Sequence, residues 1–138
     1  MFTIPTKKGE ALSLCLWASV TVATFLVYPT FAVWHLCAGL LLGIIVAIGN
    51  IRARNTFKPG WENSTKHFPV RRSAFLASWF GRAATLTNLA AAGLLIWLIV
   101  TNRPSAGLAF FGAYCAAGHA VVLLHLFGYQ RTNWKKAA

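Results

Sequence analysis

The sequence predicts an all-α integral membrane protein, a four-helix bundle with both termini on the cytoplasmic side, and three observations predict it. Hydrophobic residues make up 57% of the 138 and charged ones only 11%, whereas about a quarter of a soluble domain is charged. The apolar residues fall into four runs, at about 11–28, 31–51, 75–101 and 106–127, each near the roughly 20 residues a helix needs to cross a hydrocarbon core. The cations are asymmetric: Lys7, Lys8, Arg52, Arg54, Lys58, Lys66, Arg71, Arg72, Arg131, Lys135 and Lys136 flank one set of span ends, and only Arg103 flanks the other. Cytoplasmic segments carry such an excess of Lys and Arg. Residues 1–138 therefore read as one membrane domain with a cytoplasmic loop at 52–74.

The first span follows a short polar lead with Lys7 and Lys8. Its apolar run is longer than the core of a signal peptide and lacks a small-residue cleavage site, so a retained helix is expected. Tyr28, Pro29 and Thr30 form a short uncharged turn, which makes the first two helices antiparallel neighbours. The second span carries Gly39 and Gly43 at GxxxG spacing, with Ala47 one turn on, a face smooth enough for close approach of another helix. Between 52 and 74, Pro59-Gly60 marks a turn and Pro69 a second break, while Trp61 and Phe68 suit headgroup depth. Asn63-Ser64-Thr65 matches a glycosylation sequon that a cytoplasmic loop would not expose to the enzyme. The third span contains Arg82, whose long side chain can reach the headgroups from near a span end. Asn102, Arg103 and Pro104 turn the chain on the outer side, and Gly128 is the expected C-cap of the fourth helix.

The net charge of +11 raises the question of nucleic acid. No recognition helix or stacking platform accompanies the cations, so membrane lipid is the expected partner and nucleic acid is not. Arg52, Arg54, Arg71 and Arg72 are the residues placed to meet lipid head groups. Cys15, Cys37 and Cys115 are isolated inside apolar runs, with no metal-ligand spacing.

Intramembrane polar residues are the first place to look for chemistry. Asn88 and His119 fall at similar depths, roughly 10 and 12 Å above the inner boundary at about 1.5 Å per residue, so a hydrogen bond between their helices, of the kind that fixes packing, is feasible. A bis-histidine haem needs two imidazoles at one depth, and His35, His119 and His125 lie at three, so no cofactor is expected. No acid falls inside a span, and neither a Ser-His-Asp set nor a phosphate loop can be assembled. The expectation is a protein that is not an enzyme. Small residues recur along the helices, among them Gly112 and Ala116 in the fourth. With Gly39, Gly43 and Ala47 they form faces for packing within the chain or for binding other subunits or a second copy.

Gly39, Gly43, Asn50 and Arg52 make a glycine-rich second helix that closes on Asn and a basic residue, and Phe80-Gly81 precedes a polar position at Arg82. In these features and in its four spans the chain resembles ATP synthase subunit I, a small protein encoded with ATP synthase subunits in bacteria. The resemblance implies residence in the bacterial inner membrane and a role in assembling a rotor ring. Where that family carries a third-helix acid this chain has Arg82, and where it carries Pro before the second-helix Asn this chain has Gly49. Asn50, Arg54, Thr56 and Phe57 are similar to the inner end of helix 2 in GtrA-like lipid-linked sugar flippases. That second resemblance implies a small transporter as the alternative.

Overall fold

The computed structural model describes residues 5–27, 33–63, 71–101 and 103–137, with side chains in the last stretch up to residue 129. The turn expected at Tyr28 to Thr30, most of the sequon, Pro69 and the side chains of Arg131, Lys135 and Lys136 lie outside the described residues. The described residues form α1 (Lys7–Val27), α2 (Val33–Phe57), a 3-10 turn (Trp61–Asn63), α3 (Arg72–Ala77), α4 (Trp79–Val100) and α5 (Pro104–Ala137). All the regular structure described is helical, and α1, α2, α4 and α5 up to Tyr129 are each long and apolar enough to cross a membrane.

Several element ends differ from expectation. α1 starts at Lys7 rather than at 11, because Thr6 caps the first turn through its hydroxyl, which accepts from the Gly9 N–H at 3.2 Å. Glu10 thereby becomes part of the first long helix. α2 continues through Arg52 and Arg54 to Phe57 and stops only at Pro59-Gly60, where Gly60 takes φ +76°. Much of the expected 52–74 loop is thus helix or 3-10 turn. The third span is broken at Ser78: its backbone is extended, its N–H bonds the Phe75 carbonyl, and its hydroxyl accepts from the Gly81 N–H in the first turn of α4. α5 passes straight through Gly128, the expected cap. Among the described glycines only Gly60 has the left-handed backbone a C-cap requires.

α5 is the hub. It packs along α2 and α1 and touches α4, while α2 also packs along α4. Gly39 lies against Phe110 and Ala113, and Gly43 against Tyr114 and Ala117, so α2 and α5 run parallel. α1 runs antiparallel to α5, with the Trp17 ring edge-on to Phe111 at 5.2 Å and the Lys7 ammonium 4.5 Å from the centre of the Phe127 ring. The expectation that α1 and α2 are close neighbours is therefore corrected, since α1's main partner is α5. A short connection fixes the antiparallel sense of two helices but not which surfaces meet.

Two apolar clusters hold the helices. Ala91, Leu98, Ala106 and Phe110 join α4 to α5, with Ala38 and Leu42 of α2 packed against them. Ile51, Trp61 and Leu126 form the second, near the end of α2. Large apolar side chains remain exposed on all four long helices, including Leu12, Leu16, Leu41, Leu86, Leu89, Ile96 and Leu124. A continuous apolar exterior of this extent marks a surface that meets something other than water.

Candidate functional site

Only two acids occur in the chain, and each meets a histidine of α5. Helical continuation through the first turn of α1 carries Glu10 to α5, where its Oε2 lies 2.6 Å from Nδ1 of His119. The 3-10 turn after Gly60 carries Glu62 to His125, with Oε1 2.8 Å from Nε2. The two histidines stand six residues apart, about 9 Å along the axis and on different faces of the helix.

Around the Glu10–His119 pair is a cavity of about 280 Å³. α2 contributes Gly43, Val46, Ala47, Asn50, Ile51 and Arg54, one stripe at helical spacing. α5 contributes Tyr114, Cys115, Gly118, His119 and Val122, and Pro5 and Glu10 complete the wall. The space opens at Gly118, where an added Cβ would have its nearest neighbour 3.9 Å away, whereas at Gly43 the Tyr114 carbonyl and Ala117 Cβ close the α2–α5 contact. Beyond Arg54 the cavity meets a compact aromatic cluster. Trp61 is fully buried, its Nε1 donates to Asn55 Oδ1 at 2.8 Å, its ring stacks on His125 at 5.7 Å, and the Arg54 guanidinium lies 5.1 Å from its centre. Asn63 Nδ2 donates to the Tyr129 hydroxyl at 3.2 Å and ties the turn to α5.

The residues singled out in the sequence are distributed as follows. Gly39, Gly43 and Ala47 are buried, and a Cβ at either glycine would overlap an α5 carbonyl oxygen, of Phe110 or Tyr114. Gly112 faces α1, where a Cβ would come within 2.5 Å of Thr21 Oγ1, and Ala116 is half-buried. Asn88 and His119, between which a bond was feasible, turn to other partners: Asn88 Oδ1 accepts from the Tyr114 hydroxyl, and His119 is held by Glu10. Glu10, just ahead of the first expected span at 11–28, lies in the first turn of α1. Arg82 is exposed and its Nε donates to the Leu76 carbonyl at 2.5 Å, so it closes the α3–α4 corner and does not line the cavity with Arg54. Arg52 is exposed beside the Phe80 ring, 5.8 Å from its centre, and Arg71 and Arg72 are exposed. Trp61 is buried among protein atoms rather than at an exposed interfacial position.

Compared with known proteins, the chain matches no family model, no curated protein and no solved structure. Its site is read from its own geometry. Sequence reasoning missed Glu10 and the pairing of His125 with Glu62. The signal available was scarcity: with only two acids in a chain of 13 Lys and Arg and four His, a carboxylate held away from water must be paired with a base.

One carboxylate, one imidazole and one guanidinium share a half-enclosed cavity whose remaining walls are largely apolar. Pairing of this kind lets charged groups remain below a surface that would otherwise exclude them.

Proposed function

We propose that the chain is a multi-pass protein of the bacterial inner membrane with both termini in the cytoplasm, acting as a non-enzymatic accessory or assembly subunit of a larger membrane complex. The membrane reading is supported by the four long apolar helices and their exposed apolar side chains. The orientation is supported by the gathering of Lys7, Lys8, Arg52, Arg54, Arg71 and Arg72 toward the end of the molecule where α1 begins and α2 ends. Reporter fusions at Pro29 and Arg103 are expected to give periplasmic signals. A cytoplasmic signal at either would reverse the orientation.

The subunit reading is carried by the outward face of α4. The small-residue faces of α2 and α5 are occupied inside the chain, whereas Ala90 and Gly93 are exposed and a Cβ at Gly93 would meet nothing within 4 Å. In lipid, helices associate where small residues let backbones approach, and this is a face that intramolecular packing leaves available. Gly93→Ile is expected to leave the level of protein in the membrane unchanged and to reduce recovery of co-purifying membrane proteins by about tenfold, a loss of about 1.4 kcal/mol. Recovery equal to that of wild type would mean that the face looks at lipid, and the subunit reading would fall.

A second reading, a small transporter or lipid-linked sugar flippase, is favoured by the charged cavity at the inner end of α2. Arg54 is its contribution to that cavity, and Arg82 has no part in it.

A further inference from the structure

We propose that the chain pairs with a second copy of itself along the Asn88 edge of α4, the two Asn88 side-chain amides hydrogen-bonding to each other across a two-fold axis parallel to the membrane normal. The pairing rests on the membrane reading and goes beyond the subunit reading, which uses another face of the same helix.

Asn88 is exposed well inside α4, roughly 13 Å from its first residue and roughly 18 Å from its last at the helical rise. The exposed side chains around it, Leu86, Leu89 and Ile96, are apolar, so the amide opens toward hydrocarbon. Among the described residues it has one hydrogen-bond partner, the Tyr114 hydroxyl, which donates to Oδ1. An amide carries two N–H donors and an oxygen with two lone pairs. Whichever way round the group stands, at least one donor and one acceptor are left over once Tyr114 is served. Acyl chains offer neither, and a polar group left unmatched in hydrocarbon is costly. The edge therefore calls for a partner with hydrogen-bonding groups at this depth.

The residues that share the edge fit a helix in that place. Thr85, Asn88, Ala92, Leu95 and Ile99 recur at spacings of three, four, three and four, the seam of two helices crossing at about 20°. At about 100° per residue, Ala92, Leu95 and Ile99 return to within about 40° of Asn88. Ala92 and Ile99 are exposed, and Thr85 and Leu95 are half-buried at the border of the bundle. Ala92, one turn after Asn88, has the small side chain that lets a second backbone approach.

A second copy is the occupant whose chemistry matches without adjustment. Copies inserted in one membrane share one orientation, so a two-fold axis along the normal sets Asn88 opposite Asn88 at equal depth. Each Nδ2 donates to the other Oδ1, and the remaining lone pair of each oxygen keeps its Tyr114 hydroxyl. Charge does not oppose the contact. Arg82 is the one charged residue of α4, six positions before Asn88 and about 120° round the helix from it.

The test uses the full chain in native membranes, with Cys15, Cys37 and Cys115 replaced by Ser and single cysteines introduced for oxidative cross-linking. Ala92→Cys is expected to give the cross-linked dimer about tenfold more efficiently than Leu86→Cys, which lies about 160° round from Asn88. Adding Asn88→Leu is expected to bring Ala92→Cys down to the Leu86→Cys level, while Asn88→Gln keeps most of the product. Gly93→Ile, about 140° from Asn88, is expected to leave the dimer unchanged. Cross-linking at position 92 no better than at 86, or a dimer that survives Asn88→Leu, would overturn the proposal. Should Asn88→Leu fail to accumulate, Ile99→Cys decides, since it lies on the seam and must also exceed Leu86→Cys. A product joining Ala92→Cys only to a different protein would overturn self-pairing and leave the subunit reading in place. Absence of the wild-type chain from the membrane fraction would overturn the membrane reading together with this pairing.

Discussion

Gly43→Ile is expected to lower the thermal midpoint of the detergent-solubilised protein by about 10 °C or more and to deplete it from the membrane. A Cβ at Gly43 would overlap the Tyr114 carbonyl oxygen and come within 3.1 Å of the Ala117 Cβ. The first obstacle is backbone, which cannot rotate aside as a side chain can. Overpacking of a core costs about 1–3 kcal/mol where side chains can yield, and here α2 and α5 must separate along their shared length. At about 2–4 °C per kcal/mol for a chain of this size, about 3 kcal/mol gives the stated shift. The lost contacts are not regained by burying apolar area, since lipid is as apolar as the partner. Leu41→Ile, at an exposed position two residues earlier, is the control and should match wild type. Equal midpoints for both variants would show that α2 and α5 are not in contact at this face.

Trp61→Ala carries the second large effect, for a different reason. Trp61 is wholly buried, and its ring is shared by the Arg54 guanidinium, the His125 imidazole and the apolar side chains of Ile51 and Leu126. Truncating a buried Trp costs about 3–5 kcal/mol. It would also leave Asn55 Oδ1 without its donor and let the turn that carries Glu62 move away from His125. The expected readout is a loss of midpoint as large as that of Gly43→Ile together with rapid protease cleavage after Gly60. Trp61→Phe keeps the ring and loses one hydrogen bond, so it should cost only about 1 kcal/mol. Trp79, which is 75% exposed, supplies the comparison: were Trp79→Ala as damaging as Trp61→Ala, the buried cluster would not be what holds the turn.

The four long helices were legible because each is announced by a run of apolar residues, a local signal that needs no knowledge of neighbours. Lateral arrangement was not. α1, α2, α4 and α5 are apolar on every side, so no polar face says which side turns inward. Gly39 and Gly43 did announce a close approach, but a glycine pair does not carry the name of the helix that fills it, and the partner is α5 rather than the sequence neighbour α1. Helix ends failed for a related reason. Arg52, Arg54 and Lys7 are good helix formers, so α1 and α2 run past the apolar boundary that hydropathy marks. Glu10 was hidden by that boundary: counted as part of a polar lead, it could not be seen as the partner of His119. Trp61 was read from its residue type, which favours interfaces, whereas Ile51, Leu126 and His125 come to it from elements remote in sequence.

The position of α5 as hub bears on the order of synthesis. Chains emerge N-terminus first, so α1, α2 and α4 reach the bilayer before the helix that most of their packing requires. Until Pro104 and the residues after it arrive, the glycine stripe of α2 has nothing to close on, and Glu10 has no imidazole beside it. Each early helix is stable in lipid by itself, and α2 can pack along α4 before α5 arrives. What waits for α5 is the packing of α1 and the larger part of that of α2. A ribosome arrested before α5 would leave in the membrane a product that quality-control proteases can distinguish from the finished protein by its unpacked α1.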